Sequence, residues 1–401
     1  MREGWHLTTV GAVANVVVGG TPKTSVPEYW GGDIAWVTPV DVTAAATPWL
    51  STTKRSVTQH GIDNSAARVV PRHSVLVSAR GTVGTAVLAA HPMATNQSML
   101  ALIPGNGVLG QWLYYWVLYN RSLWVAHSGG STFPAINAQG AKALPLLLAP
   151  LPEQRRIVDL IGSLDETIAA TDQVVVKTEQ ASHATLHAAA SRASRNALVG
   201  ELAVVRGGKR LPKGTPWAAG ATPHPYIRVV DMKAGTVDLE SLVHVPDDVW
   251  PSIRKYVVER DDVLVSIAGT IGLVAQVPPS LEGANLTENA ARISIEADRV
   301  DPRWVTAYLA GAQGQRAIAQ RTVGTTQKKL GLFRIEQIPI PLLARADEEA
   351  VCGALDALAE LAARARRMAT ALSLVRGALL SDLMGGNHSI PPAYDRLLVA
   401  A

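Results

Sequence analysis

The stretch Val75-Leu76-Val77-Ser78-Ala79-Arg80-Gly81-Thr82-Val83-Gly84 occurs a second time as Val263-Leu264-Val265-Ser266-Ile267-Ala268-Gly269-Thr270-Ile271-Gly272, at an offset of 188. A β-branched run closed by a Gly-containing turn reads as a strand followed by a tight turn. Its recurrence far along the chain points to an internal duplication. Working outward, Val18-Gly19-Gly20 recurs as Arg206-Gly207-Gly208, also at 188. Trp36-Val37-Thr38 and Asp41 match Tyr226-Ile227-Arg228 and Asp231 at 190, and Thr95-Asn96-Gln97 faces Thr287-Glu288-Asn289 at 192. Trp112 faces Trp304 at 192, while Gly130-Ser131-Thr132 matches Gly324-Thr325-Thr326, and Leu144-Pro145-Leu146 matches Ile338-Pro339-Ile340, at 194. The order is kept and the offset drifts only slightly, so the 401 residues hold one unit of about 190 residues twice.

Each copy has two parts. The first, about 150 residues long, is punctuated by Gly and Pro and carries short β-branched runs. Val75–Val77, Thr85–Leu88, Val263–Ser266 and Arg292–Ile295 read as strands, and Gln111–Tyr119 and Pro302–Ala312 as one helix per copy. The second part is helical. Pro152-Glu153-Gln154 opens it with a first-turn proline and an acid. Ile157, Ile161, Leu164, Ile168 and Val175 then follow a 4-3-4-7 spacing. In the second copy Leu361, Ala365, Met368, Leu372, Val375 and Leu379 keep 4-3-4-3-4, the spacing of a coiled-coil seam. Helices of roughly 40 residues span about 60 Å and need a partner to bury such seams. The simplest partner is the other helix of the chain. The expected architecture is α+β: two tandem domains separated by two long helices that form an antiparallel coiled coil. The expected boundaries are 1–150, 151–198, 199–343 and 344–386, with a disordered tail over 387–401.

Composition bounds the function. Hydrophobic residues make up 48% and charged residues 17%, which excludes global disorder. A single cysteine, Cys352, excludes an intrachain disulfide framework and a Cys-based zinc ribbon, and fits a reducing compartment. The net charge of +4 divides as +4 over 1–150, −1 over 151–198, +2 over 199–343 and −1 over 344–401. The positive excess thus lies in the two α+β parts, where a polyanion is a plausible partner. Met1-Arg2-Glu3-Gly4-Trp5-His6 lacks the layout of a secretory signal. The most apolar stretch, Val263 to Val277, is too short and too interrupted to span a bilayer. A soluble cytoplasmic protein is expected.

Catalytic patterns are missing. No G-x-x-x-x-G-K-[ST] loop occurs. Ile390-Pro391-Pro392-Ala393-Tyr394 lacks the polar residue that opens the Asn/Asp-Pro-Pro-Tyr/Phe run of amino-methyltransferases. Asp231-Met232-Lys233 is half of a nuclease pattern with no preceding Pro-Asp. His183 and His187 stand at zinc-ligand spacing, but nothing nearby completes a ligand set, so they read as solvated helix residues. Cys352 reads as a small core residue.

Together these residues resemble the specificity subunit of a type I restriction-modification system. The resemblance rests on Gly19-Gly20-Thr21-Pro22, Tyr29-Trp30-Gly31-Gly32-Asp33-Ile34-Ala35-Trp36-Val37-Thr38, Arg80-Gly81-Thr82-Val83-Gly84, Asn96-Gln97, Leu151-Pro152-Glu153-Gln154-Arg155-Arg156-Ile157 and the tandem repeat. The second copy departs from the pattern at Gly207-Gly208-Lys209-Arg210 and Ala346-Asp347-Glu348-Glu349, which suggests that the halves recognise different things. The resemblance implies that 1–150 and 199–343 are target recognition domains, each reading half of a bipartite, asymmetric site in double-stranded DNA. It implies that the helices set the spacer and dock two modification subunits, joined in turn by restriction subunits. The chain itself would hold no cofactor and no catalytic group. S-adenosylmethionine and ATP/Mg would sit on the partners.

Phosphate contacts should come from Lys and Arg and fix register, base-edge contacts should supply sequence, and polar loop residues could meet either. The candidates are Lys23, Arg80, Ser131, Thr132 and Lys142 in the first domain, and Arg206, Lys209, Arg210, Lys213, Thr325, Thr326, Gln327, Lys328 and Lys329 in the second. The candidate coiled-coil and subunit-interface residues are Ile157, Ile161, Leu164, Ile168, Val175, Leu361, Met368, Leu372, Val375 and Leu379. The paired Trp112 and Trp304 read as core anchors. Two other readings stay open: an enzyme, such as an orphan methyltransferase or a nuclease, and a two-headed protein-binding scaffold without DNA specificity.

Overall fold

The repeated Val-Leu-Val-Ser stretch lies inside a sheet in each half of the chain. The computed structural model describes residues 3–129, 134–233, 235–296, 298–324 and 328–398. They fall into two units: Met1–Gln173 with Ala365–Ala401, and Val174–Arg364.

In the first unit the main sheet holds β1 (Ala14–Val18), β2 (Trp49–Leu50), β3 (Val75–Ser78), β4 (Ala86–Ala89) and β5 (Met99–Pro104), in the order β1-β5-β3-β4-β2. Strand β3 is buried along its whole length, because both faces of the sheet are covered. Val75, Val77, Leu100 and Leu102 enter one core. Leu76, Met99 and Ala101 enter a second one on the opposite face. Two buried faces explain why these strands read as continuous apolar runs instead of alternating. Helix α1 (Gly110–Tyr119) and the start of α2 (Leu151–Arg192) close the first core, with Trp112 fully buried.

The second unit repeats the plan. Strands β6 (Ala203–Gly207), β7 (Val263–Ser266), β8 (Val274–Gln276) and β9 (Ala290–Ile295) form a sheet in the order β6-β9-β7-β8. Helix α3 (Pro302–Ala310) covers it. Trp304 is fully buried there and donates from Nε1 to the Pro341 carbonyl at 2.8 Å. Both tryptophans are therefore core anchors. Second helices at Arg121–Ala126 and Ala312–Arg321 were not legible in sequence.

The strand registers refine the repeat. The Gly19 N–H donates to the Met99 carbonyl, and the Gly208 N–H to the Ala290 carbonyl. Gly19 thus corresponds to Gly208, one residue further than the sequence match places it. The reason is steric: a Cβ at Gly19 would stand 2.0 Å from the Asn96 carbonyl oxygen, and one at Gly208 2.2 Å from that of Thr287. Only glycine lets the strand end pass so close to backbone. With that alignment, Val17 opposite Ala101 in β1/β5 corresponds to Arg206 opposite Arg292 in β6/β9.

The long helices α2 and α4 (Arg345–Met384) each contribute to both units. In the first unit Ile157 and Ile161 pack with Leu380, Leu383 and Met384, and Asp165 pairs with Arg376. In the second, Leu186 and Ala189 share a core with Val351, Cys352 and Leu355. Within the first unit, then, the helix segments run antiparallel. The α2 seam continues through the expected gap at Thr171 and Thr178, both buried. Their hydroxyls donate to the Thr167 and Val174 carbonyls one turn back, so a polar residue fits the seam without an unpaired donor.

The α4 seam differs from the expected one. Leu361, Met368 and Val375 are 48%, 54% and 49% exposed. The inward positions are Ala362, Ala365, Ala369, Leu372 and Arg376, with Leu379 and Leu380 toward the end. Counting apolar residues at heptad spacing selected the larger side chains. The buried face carries the smaller side chains Ala362, Ala365 and Ala369. Residues after α4 are tied to the first unit. Arg156 forms a bidentate pair with Asp395 at 2.6 and 2.7 Å, and the Tyr394 hydroxyl donates to Asp159 at 2.7 Å. Ile390 is buried against the first core. Where a disordered tail was expected, residues 387–396 form a strap held by charge and one apolar anchor; 399–401 lie outside the described residues.

Candidate nucleic-acid interface

The Gly-x-x-Gly turns after β3 and β7 position the first basic candidates. Gly81 and Gly84 have φ of 72° and 78°, and Gly269 and Gly272 have 73° and 89°, the left-handed region that favours glycine. Each turn lies beside a downstream loop. Arg80 bridges Ala135, which also pairs with Gly129, and Ala268 bridges Lys329, which also pairs with Val323. The same two loops therefore meet in both units. They bring exposed Arg80 to one site and exposed Lys328 and Lys329 to the other. Ser131, Thr132, Thr325, Thr326 and Gln327 belong to these loops in sequence and lie outside the described residues.

Elsewhere in the first unit Lys23 is exposed, and its carbonyl accepts from Trp30 Nε1 at 3.2 Å. Arg55 stacks on Trp30, 3.6 Å from the ring centroid, and Trp30 meets Trp36 edge-on at 4.9 Å. A stacked guanidinium keeps its N–H edge free for hydrogen bonding, as phosphate or base recognition requires. Sequence reading missed Arg55, because its partner Trp30 comes from a distant strand. Lys142 lies apart, exposed on the short helix Ala138–Ala143.

In the second unit Arg206, Lys209, Arg210 and Lys213 lie along the exposed end of β6 and the loop after it. Arg210 is already engaged, since its Nε donates to Glu288 at 2.6 Å. Lys209 Nζ stands 5.9 Å from the centre of the Tyr256 ring. Tyr256 lines a cavity of about 290 Å³ together with Arg206, Lys255, Arg292 and the Gly207-Gly208 backbone. Lys255 and Arg292 were not among the sequence candidates. A lone arginine inside the apolar run Ala290-Ala291-Arg292-Ile293 was the available signal.

The other patterns weighed in sequence are structural. Asp231 is fully buried and accepts from Arg228 at 2.8 and 3.0 Å and from Ser241 at 2.9 Å, so it caps a turn. Burial pushes the Cys352 thiol up to about 12, as for an inert core cysteine. Among the described residues no group of His, Cys, Asp or Glu is placed to hold a metal ion, His183 and His187 included. No helix among the described residues is long and apolar enough to cross a membrane.

Residues 2–178 match the family model of the type I restriction modification DNA specificity domain. The first half of the chain thus carries a type I restriction modification DNA specificity domain. Among its relatives, the MjaIX specificity subunit of Methanocaldococcus jannaschii is 30% identical over 170 residues, covering 41% of this chain and 39% of the relative. The EcoR124I/EcoR124II specificity subunit of Escherichia coli is 24% identical over 164 residues, 39% of this chain and 40% of the relative. Each match thus spans about two-fifths of the curated relative's length. The fold covers more. The S subunit from M. genitalium superposes over 94% of this chain and 96% of its own with a TM-score of 0.59 at 15% identity. A chain from a study of type I restriction-modification complex assembly covers 96% and 98% with a TM-score of 0.58 at 17% identity.

Proposed function

We propose that this chain is the DNA sequence-recognition subunit of a type I restriction-modification complex, reading a bipartite, asymmetric site with its two halves. Residues 1–150 and 199–343 act as the target recognition domains, and 151–198 and 344–386 as the helical spacers. The observation that carries this reading is the duplicated framework with unequal exposed chemistry. Equivalent registers, turns and loops recur, while Arg80 faces solvent where the other copy has Ala268, and Lys329 where the first has Ala135. One scaffold with two different surfaces is what an asymmetric site demands.

The helices dock two modification subunits in this reading. Met368, Leu374 and Val375, at 54%, 73% and 49% exposed, give α4 an apolar surface that its own unit leaves uncovered. Such a stripe is normally covered by a partner. S-adenosylmethionine chemistry and ATP/Mg-dependent restriction belong to the partners, and this chain holds neither cofactor. The complex works in the cytoplasm, where the DNA is.

The test is co-expression with the modification subunit, followed by mapping of N6-methyladenine in host DNA. A split, asymmetric methylated motif is expected, and Lys328→Gln with Lys329→Gln should abolish methylation at it. A soluble complex that methylates nothing new and binds no duplex refutes the reading.

A further inference from the structure

The cavity beneath the end of β6 lies at a register where the two units carry different residues. At the equivalent register the first unit places Val17 and Ala101 against an apolar core, and the second places Arg206 and Arg292. Directly opposed residues on one sheet face have Cβ atoms about 5 Å apart, and like charges there repel. Lys255 adds a third cation, and no carboxylate lines the cavity. Arg292 is 8% exposed and compensated from one side only. Its Nη1 donates to buried Asp262 at 3.2 Å and lies 3.5 Å from Glu259. Its Nε and Nη2 donate to no described acceptor, and Arg206 and Lys255 form no ion pair with a described residue.

We propose that this cavity holds one phosphate group of the DNA backbone at the half-site read by the second unit. Buried Arg292 supplies a fixed fork, because Asp262 orients it, and Arg206 and Lys255 close over the oxyanion from the rim. Three cations around one small concavity match a doubly bonded, singly charged phosphodiester better than a base edge, which offers at most two acceptors in a plane. The assignment makes the two halves unequal: the second is anchored by a built phosphate site, the first is not. It rests on the DNA-reading function proposed above and adds where the duplex is gripped.

The experiment uses the complex with the modification subunit and a duplex carrying the mapped motif. Arg206→Gln with Lys255→Gln changes only exposed side chains, so the fold should be kept; thermal unfolding checks this. Affinity is expected to fall roughly tenfold on specific and unrelated duplexes alike, because a phosphate contact carries no sequence information. The slope of log affinity against log salt should drop by about 0.9, the value of one phosphate. Neutral methylphosphonates placed one at a time should reveal a position in the second half-site that costs the wild type affinity and costs the double variant nothing. An unchanged slope and an unchanged methylphosphonate profile, with motif binding intact, overturn this assignment and leave the function standing. No duplex binding by the wild type overturns both. A second arm titrates inorganic phosphate without DNA. Stabilisation of the wild type alone, with duplex binding the same in both proteins, assigns the cavity to a free anion and likewise overturns the proposal.

Discussion

The pair Asp165–Arg376 ties α2 to α4 inside the first unit, and its removal should be costly. Arg376 Nε donates to Asp165 Oδ1 at 2.7 Å, with the two side chains only 20% and 15% exposed. Tyr115 donates its hydroxyl to the other carboxylate oxygen at 2.9 Å. Burial alone would lower the Arg376 guanidinium; the hydrogen bond and charge of Asp165 more than offset this and hold it above its ordinary value. Burial and the same carboxylate push the Tyr115 hydroxyl well above its usual range. Two unit charges about 4 Å apart at an effective dielectric near 20 attract by about 4 kcal/mol. Loss of one partner from a buried pair costs about 3–5 kcal/mol. Arg376→Met leaves the carboxylate with the tyrosine alone, so a loss of about 3 kcal/mol is expected, near the low end of that range. For a unit of this size that is a fall in midpoint of about 6–12 °C. Asp165→Leu should cost a similar amount, and the double variant clearly less than the sum, with a coupling of about 2 kcal/mol. The assay is urea unfolding of the four proteins followed by tryptophan fluorescence, since the first core contains Trp5, Trp112, Trp116 and Trp124. Single losses below about 1 kcal/mol, or effects that add to within about 0.5 kcal/mol, would refute the reasoning.

Three further outcomes are expected. Trp304→Ala should cost about 3–5 kcal/mol by leaving a cavity in the core of the second unit and orphaning the Pro341 carbonyl; a loss under about 1 kcal/mol in denaturant unfolding contradicts its role as core anchor. Met368→Asp with Val375→Asp should leave the chain folded, as both positions are exposed, yet reduce co-purification with the modification subunit at least tenfold; undiminished co-purification removes this face from the interface. Asp301 is pushed up by burial, but the Arg303 guanidinium and backbone N–H more than offset this and hold it below the usual carboxylate range. Its contribution to stability is thus present above the unfolded pKa and lost as pH falls toward the lower folded value. The stability gap between wild type and Asp301→Asn should be full at pH 7 and close below about pH 4; a gap unchanged at pH 3 refutes the assignment.

The duplication, the α+β class, the long helices and the family resemblance were legible in the amino-acid sequence, because each is carried by residues adjacent in the chain. Gly81 and Gly84 announce a left-handed turn wherever they occur. Val75-Leu76-Val77 announces a strand with two covered faces, and Pro152-Glu153 a helix start. The exposed basic candidates were legible for the same reason: Lys209-Arg210 and Lys328-Lys329 are local clusters. What needed tertiary structure were the matters settled between distant segments. On α4 the buried face carries Ala362, Ala365 and Ala369 while Leu361, Met368 and Val375 stay exposed, because packing by the rest of the chain, not the hydropathy of one helix, decides which face turns inward. Arg55 gains its meaning from Trp30, and the residues after α4 are tied to the first unit by Arg156 and Asp159 of α2. Arg206, Lys255 and Arg292 lie far apart along the chain and meet only because β6 and β9 pair in one register. A chain states its local preferences residue by residue. Which charges share a cavity is decided when the sheet closes, since a one-residue shift of register would turn the Arg206 and Arg292 side chains to different faces.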